Sequence, residues 1–367
     1  MDGAGNYFRA AAAADTSKRL FLLDPELPVE EAVEVFHGQI VPQWEENPPG
    51  LRDISNAIVT SFRANDVEIS GENQQYIKAI HEMAERAEEF RGDAEKRPKP
   101  NLFHNIPHTG HVAIWQHYID MKSGAERDPR VRFLKAFAAF AHDTDHPGGN
   151  NGTGGIFELE QIHYAAAEKI MKGNGFSSAD TECVKLMILG TSINGGAQFV
   201  KLVAAAQLAG SKVGYAKLKE QAWENTIKAP NANKEEFMAQ LEELSQLCEN
   251  YPDMAQHAVE LHAADTAPSW TSFDGCQHFG ALLTEEYQAR NVPGDFRSAG
   301  ASAFFLGAII GRGMFELPSL QGFAELFETA LDDAGSYVAM DQLYRGVEAV
   351  VTCVPPKVNL FPNLVAA

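Results

Sequence analysis

Apolar residues recur every three and four positions along almost the whole chain, and that spacing leaves little room for anything but amphipathic helices. The segments "EEAVEVFHGQIVPQW", "ENQQYIKAIHEMAERAEEFRGDAEK", "HVAIWQHYIDMKS", "VRFLKAFAAFAHD", "ELEQIHYAAAEKIMK" and "NKEEFMAQLEELSQLCENY" all carry it. Around the third of these, His108, Val112, Trp115 and Ile119 fall on one face. Strand-type alternation is scarce, and the best strand candidate is "LRDISNAIVTSF", Leu51 to Phe62. Proline- and glycine-rich breakers at 96–101, 146–155 and 291–295 separate helices rather than domains. With no internal repeat and no long linker, the expectation is one all-α domain over residues 1–367, a multi-helix bundle. Its tail, 350–367, carries "VPPKVNLFPNLVAA", whose three prolines favour an extended course on the surface.

Of the 367 residues 45% are hydrophobic, ample for a core. No apolar run reaches the roughly 18–20 residues of a membrane span, and the N-terminus lacks a basic start and a compact signal core. The expectation is a soluble, cytoplasmic protein. Its formal charge of −20 repels nucleic-acid polymers and anionic membranes. A small anionic substrate stays open, because a local metal or arginine overrides the global field over a few ångströms. Cys183, Cys248, Cys276 and Cys353 are scattered without a CxxC, which fits free thiols in a reducing compartment.

One buried-looking helix, "FAAFAHD", runs straight into "TDHPGGNN". It therefore ends in His142, Asp143 and His146, where capping residues or metal ligands are both at home. Three other groups share that chemistry. "FHNIPH" places His104 and His108 one helical turn apart, with Pro107 suited to a first turn and His111 on the same face. "ELEQIH" offers Glu160 and His163, and "ELHAADTAP" offers His262 and Asp265 on a helix expected to end at Pro268. Singly, each reads more readily as a polar helix face or a cap. Jointly, two histidines and two aspartates form a mixed nitrogen and oxygen set suited to zinc, manganese or iron. A carboxylate beside them can bridge to a second, harder ion such as magnesium. Two such ions form the clamp used in phosphoester hydrolysis, with a bridging hydroxide as nucleophile.

The order "HNxxH … HDxDHPGxxN … LExxH … TS … HAAD" resembles the catalytic domain of the class I cyclic nucleotide phosphodiesterases, within the HD superfamily of metal-dependent phosphohydrolases. The resemblance spans roughly residues 100–325. It implies an N-terminal helical part over 1–100, a metal-site and pocket part over 101–335, and two divalent ions, the first zinc and the second magnesium or manganese. Carried over by position, His108, His142, Asp143 and Asp265 hold the first ion, and Asp143 bridges to the second. His104 is the general acid, while His146, Glu160 and His163 hydrogen-bond metal-bound water. Thr191 occupies the family's threonine position, and Phe323 the position of the aromatic that stacks on the base.

Several positions depart from the family pattern. His111 and Ser192 stand where aspartates are usual, the loop from Asn150 to Glu160 is short, and "ADTAP" lacks the asparagine that contacts the purine. Leu320 replaces the base-reading glutamine, with Gln321 next to it. Helical periodicity puts Leu320, Phe323, Ala324 and Phe327 on one face and Gln321, Glu325 and Glu328 on the other, so Leu320 is expected to face the pocket. The function implied is hydrolysis of 3′,5′-cyclic AMP or GMP, a small-molecule partner, to the 5′-monophosphate; a homodimer is compatible with it. Two alternatives remain: an HD-type phosphohydrolase on another nucleotide or phosphodiester, and a degenerate ligand-binding protein.

Overall fold

The computed structural model describes residues 21–352 except 66, 68, 70, 93–100, 124–127, 149–156, 194, 227–232 and 293; side chains at 72, 90–92, 341 and 343–352 are likewise left aside. The expected extended tail and the short loop after Asn150 lie outside the described residues. Among those described there is no strand. Helices α1 (Val29–Val35) and α2 (Val41–Glu46) are joined by a π-turn, Phe36–Ile40. They are followed by α3 (Leu51–Ala64) and α4 (Gln74–Gly92). The segment that looked most like a strand is thus helical. Leu51, Ile54, Ser55, Ile58, Val59 and Phe62 are its buried residues, a helical stripe that overrides the β-branched composition.

Next come α5 (Ile106–Lys122), α6 (Pro129–Ala141), α7 (Glu158–Gly173), α8 (Ser178–Leu189) and α9 (Gly196–Leu208). The chain goes on through α10 (Tyr215–Asn225), α11 (Lys234–Asn250), α12 (Met254–Trp270) and α13 (Phe273–Ala289). Then follow α14 (Ala299–Phe304), a second π-turn at Phe305–Ile310, and α15 (Ala324–Thr352). Helix α12 is the axis of the bundle and packs against α5, α8, α9 and α13. It is buried on nearly every side, so it shows no amphipathic stripe. Pro268 does not end it: the helix continues to Trp270, whose indole N–H donates to the Ala263 carbonyl at 2.9 Å.

Three helices that carry the histidine motifs are tied together by buried charge. Lys135 on α6 reaches Asp120 on α5 at 2.6 Å and Glu260 on α12 at 2.8 Å. Arg132 stands 3.6 Å from Asp120, and His257 Nδ1 lies 3.0 Å from Glu260. Each of these side chains is at least nine-tenths buried. A buried charge is tolerated only where it is paired, so the network fixes how the three helices meet. Cys183, Cys248 and Cys276 are buried free thiols, and Cys353 lies outside the described residues. No described helix is long and apolar enough to cross a membrane.

Candidate metal centre

Local rules aim the first histidines. Asn105 caps α5, its side-chain oxygen accepting from the His108 amide at 3.0 Å. The cap and Pro107 set the first turn, leaving His104 just outside the helix and His108 inside it. On α6 the helix stops at His142, and residues 142–145 form a turn. Asp145 is held at φ 64°, a left-handed conformation that Asp adopts more readily than most residues. A bidentate pair with Arg86 of α4, at 2.7 and 2.9 Å, secures it. Three residues on, Gly148 has φ 74°, and a Cβ there would collide with Asn101 and Arg290.

The turn brings four ligand-type atoms together. His108 Nε2 is 3.2 Å from Asp143 Oδ2 and 3.3 Å from Asp265 Oδ1. His142 Nε2 is 3.6 and 3.5 Å from the same two oxygens. Bonds to zinc of about 2.0–2.2 Å put neighbouring tetrahedral corners about 3.3–3.6 Å apart, which these four histidine–carboxylate distances match; His108, His142 and Asp265 form the set whose ligand atoms all lie within 4.8 Å of one another. His142 Nδ1 donates to the Ala139 carbonyl at 2.8 Å, which leaves Nε2 as the lone-pair nitrogen facing the carboxylates. That Nε2 is buried without a hydrogen-bond partner among the described residues. Donor set, spacing and tautomer all fit a divalent metal. Asp143 also clusters with His146 and His163, a second set of close ligand atoms.

Without an ion, protons and carboxylates share the charge. Burial alone would lower the His108 pKa, but Asp143 and Asp265 outweigh it and raise it to about 9. Burial would raise Asp143; the surrounding histidines, led by His142, hold it well below the usual carboxylate range. Asp265 is lowered in the same way, against burial, by His108 and His142. Glu160 is pushed up to about 8 by burial, against a hydrogen bond from Ser192 that favours the ionised form. Ser192 therefore partners Glu160 where an aspartate would have faced it with a second negative charge.

Beside the ligand atoms stands a histidine pair. His104 Nδ1 donates to Glu286 Oε1 at 2.7 Å, and Glu286 Oε2 accepts the amides of Phe103 and His104 at 2.8 and 3.0 Å. Burial would raise the Glu286 pKa, yet His104 and the two amides hold it low. His104 stacks on His146, ring centroids 3.9 Å apart. The Gly148 amide donates to His146 Nδ1 at 2.9 Å, so the neutral ring carries its proton on Nε2. Burial, then the neighbouring His104, keeps that ring neutral, well below the ordinary histidine pKa.

Sequence reading missed Glu286, although it sits seven residues after Phe279 and three after Leu283 in the inward stripe of α13. His111, expected on the same face as His104 and His108, instead stacks on Trp44 at 5.0 Å with Phe36 and Phe279 edge-on. His262 is fully buried among helices, away from the cavity lining.

A cavity of about 100 Å³, open to solvent, lies over this floor. His104, His142, Asp143, His146, Glu160, His163 and Asp265 are among its lining residues. Thr191 lines it too, its hydroxyl donating to the Ile188 carbonyl at 2.8 Å. Leu320, Gln321 and Phe323 do not line it. Phe323 is 1% exposed, packed edge-on against Trp115, Tyr118 and Trp270. Leu320 is fully buried and Gln321 is exposed. The face that periodicity turned inward meets the core, and the apolar wall of the cavity comes from Phe103, Leu159, Ile193, Leu283 and Phe305.

No protein-family model matches the chain, and no curated protein does. Solved structures do match. The phosphodiesterase domain of the RhoPDE fusion protein from the choanoflagellate Salpingoeca rosetta aligns with a TM-score of 0.53 at 15% identity, over 81% of this chain and 92% of that one. A second structure, of the phosphodiesterase domain of Salpingoeca rosetta rhodopsin phosphodiesterase, gives 0.55 and 15% over 82% and 90%. The likeness agrees with the resemblance drawn from the motifs: this chain has the all-helical fold of those phosphodiesterase domains.

Proposed function

We propose that the protein is a metal-dependent phosphodiesterase that hydrolyses 3′,5′-cyclic nucleotides to 5′-monophosphates. The observation that carries this reading is the cluster of His108, His142, Asp143 and Asp265, with histidine–carboxylate distances of 3.2–3.6 Å, beside the His104–Glu286 pair. His108, His142, Asp143 and Asp265 would hold the first ion, and Asp143 would also contribute to holding the second. Zinc and magnesium or manganese are the ions proposed. Bound divalent ions supply Lewis-acid charge at the phosphate and lower the pKa of water.

The remaining roles belong to the chain itself. With Nδ1–H given to Glu286, His104 has Nε2 left for the cavity it lines. As imidazolium it delivers the Nε2 proton to the departing 3′ oxygen, and Glu286 holds the ring's orientation and stabilises its charge. His146 presents an Nε2–H as donor, while Glu160 and His163 complete the polar rim on which water is ordered. Asp145 and Arg86 keep the turn that aims Asp143 and His146.

Two variants separate acid from ligand. His104→Ala should keep its metal and lose on the order of 10²–10⁴ in turnover, the usual worth of a general acid. A nitrophenyl phosphodiester, whose leaving group needs no proton, should recover part of that loss. His108→Ala should lose both metal and turnover by elemental analysis and kinetics. Full turnover in His104→Ala would assign the proton to another group.

A further inference from the structure

The cavity lining is of two kinds: the histidine–carboxylate cluster, and an apolar wall of Phe103, Leu159, Ile193, Leu283 and Phe305. A ligand that meets both is a phosphate ester with an anionic end and an organic part that tolerates an apolar surface. Two phenylalanines belong to that wall. Phe103 is already engaged, 4.7 Å from the His108 ring, 4.8 Å from His104 and 6.4 Å from Phe279. Phe305 is half-buried and has no ring packed on it among the described residues.

The backbone that carries Phe305 is unusual. Phe305 opens the π-turn Phe305–Ile310, which stops at Gly311 with φ 67°. Such turns are rare and recur at functional sites. The carbonyls at the end of this one are satisfied from α9: Gln198 donates to Ala308 and Ile309 at 3.1 and 3.2 Å, and Lys201 to Ile309 and Ile310 at 2.7 and 3.0 Å. Four hydrogen bonds from two side chains therefore hold the strand of backbone that sets the ring over the cavity.

We propose that the free face of Phe305 is the contact surface for a flat aromatic group on the substrate, and that Gln198 and Lys201 are positioning residues for it. This rests on the phosphodiesterase reading for the anionic end of the ligand. Hydrogen-bonding readout of the aromatic group is sparse. The Thr191 and Thr266 hydroxyls already donate to backbone carbonyls, and among the described lining residues there is no side-chain amide. Ser269, one turn beyond Asp265, is the lining hydroxyl with no partner among the described residues. An aromatic face with one hydroxyl holds adenine and guanine alike.

The test measures binding of 5′-AMP, 5′-GMP and ribose 5-phosphate to the metal-loaded full chain by calorimetry. Phe305→Ala and Phe305→Leu should weaken both nucleotides by about 5- to 150-fold, the span of base–aromatic stacking, and leave ribose 5-phosphate unchanged. Phe305→Tyr should bind like the parent, and Lys201→Met should weaken the nucleotides in the same sense. Equal metal content in all variants shows that the floor is intact. The proposal is overturned if ribose 5-phosphate weakens as much as the nucleotides, if Phe305→Leu binds like the parent, or if the parent prefers one nucleotide a hundredfold. A parent that binds 5′-AMP no better than ribose 5-phosphate overturns it too. Failure of the phosphodiesterase reading shows separately, as absence of turnover in a parent whose nucleotide binding still depends on Phe305.

Discussion

With His108 as a metal ligand, as proposed, metal and proton compete for one nitrogen, and the competition has a calculable size. In the metal-free protein His108 Nε2 shares a proton with Asp143 and Asp265 at 3.2 and 3.3 Å, and its pKa stands at about 9. A metal must displace that proton, since only the neutral ring is a ligand. At pH 7 about 99% of the rings are protonated, so apparent affinity should rise nearly tenfold per pH unit and level off near pH 9. Between pH 7 and 9 the gain is about 50-fold, or about 2.3 kcal/mol. The sign for stability runs the other way. A pKa raised from 6.5 to about 9 gives the metal-free fold a contribution on the order of 3 kcal/mol, fully present below pH 6.5 and lost as pH climbs through 9. Metal binding should therefore stabilise the protein most at alkaline pH. Calorimetric titration with chelator-buffered zinc, in buffers of different ionisation enthalpy, should find about one proton released at pH 7.5. Flat affinity from pH 7 to 9 with no proton release would refute the shared-proton account of His108.

Other perturbations follow from single contacts. Glu286→Gln should leave metal content unchanged and lower turnover on cyclic nucleotides by at least tenfold, because the His104 ring loses the carboxylate that orients and stabilises it; unchanged kcat and pH profile would remove Glu286 from that role. Lys135→Met removes the cation shared by buried Asp120 and Glu260, leaving them Arg132 at 3.6 Å and His257 at 3.0 Å, so urea midpoints should report a loss of about 3–5 kcal/mol, and a loss under 1 kcal/mol would mean the network is solvated.

Much of this was legible from local spacing. Helical period located the bundle, and His104, His108, His142 and Asp143 could be picked out as candidates because neighbours in the chain are neighbours in the cluster. The Leu51–Phe62 segment misled because its isoleucines, valine and threonine favour strands one residue at a time, whereas burial follows their spacing. Pro268 misled for a related reason: helix ends are weak signals, and tertiary packing around Trp270 carries α12 past the proline. Neither π-turn has a sequence mark. Glu286 was hidden because its partner is 182 positions away, so no window contains both. Around residue 320 the pattern told inside from outside correctly, with Leu320 and Phe323 buried and Gln321 exposed. Periodicity cannot say whether an inward face meets core or cavity, and here it meets core.

Incubation of the metal-loaded protein with 3′,5′-cyclic AMP and cyclic GMP, followed by phosphorus NMR, tests the central claim most directly. The account predicts turnover of at least one of them to the 5′-monophosphate, with loss of the signal on chelation and on His104→Ala. No turnover of either substrate by protein carrying its full complement of metal, or release of the 3′-monophosphate, would contradict it.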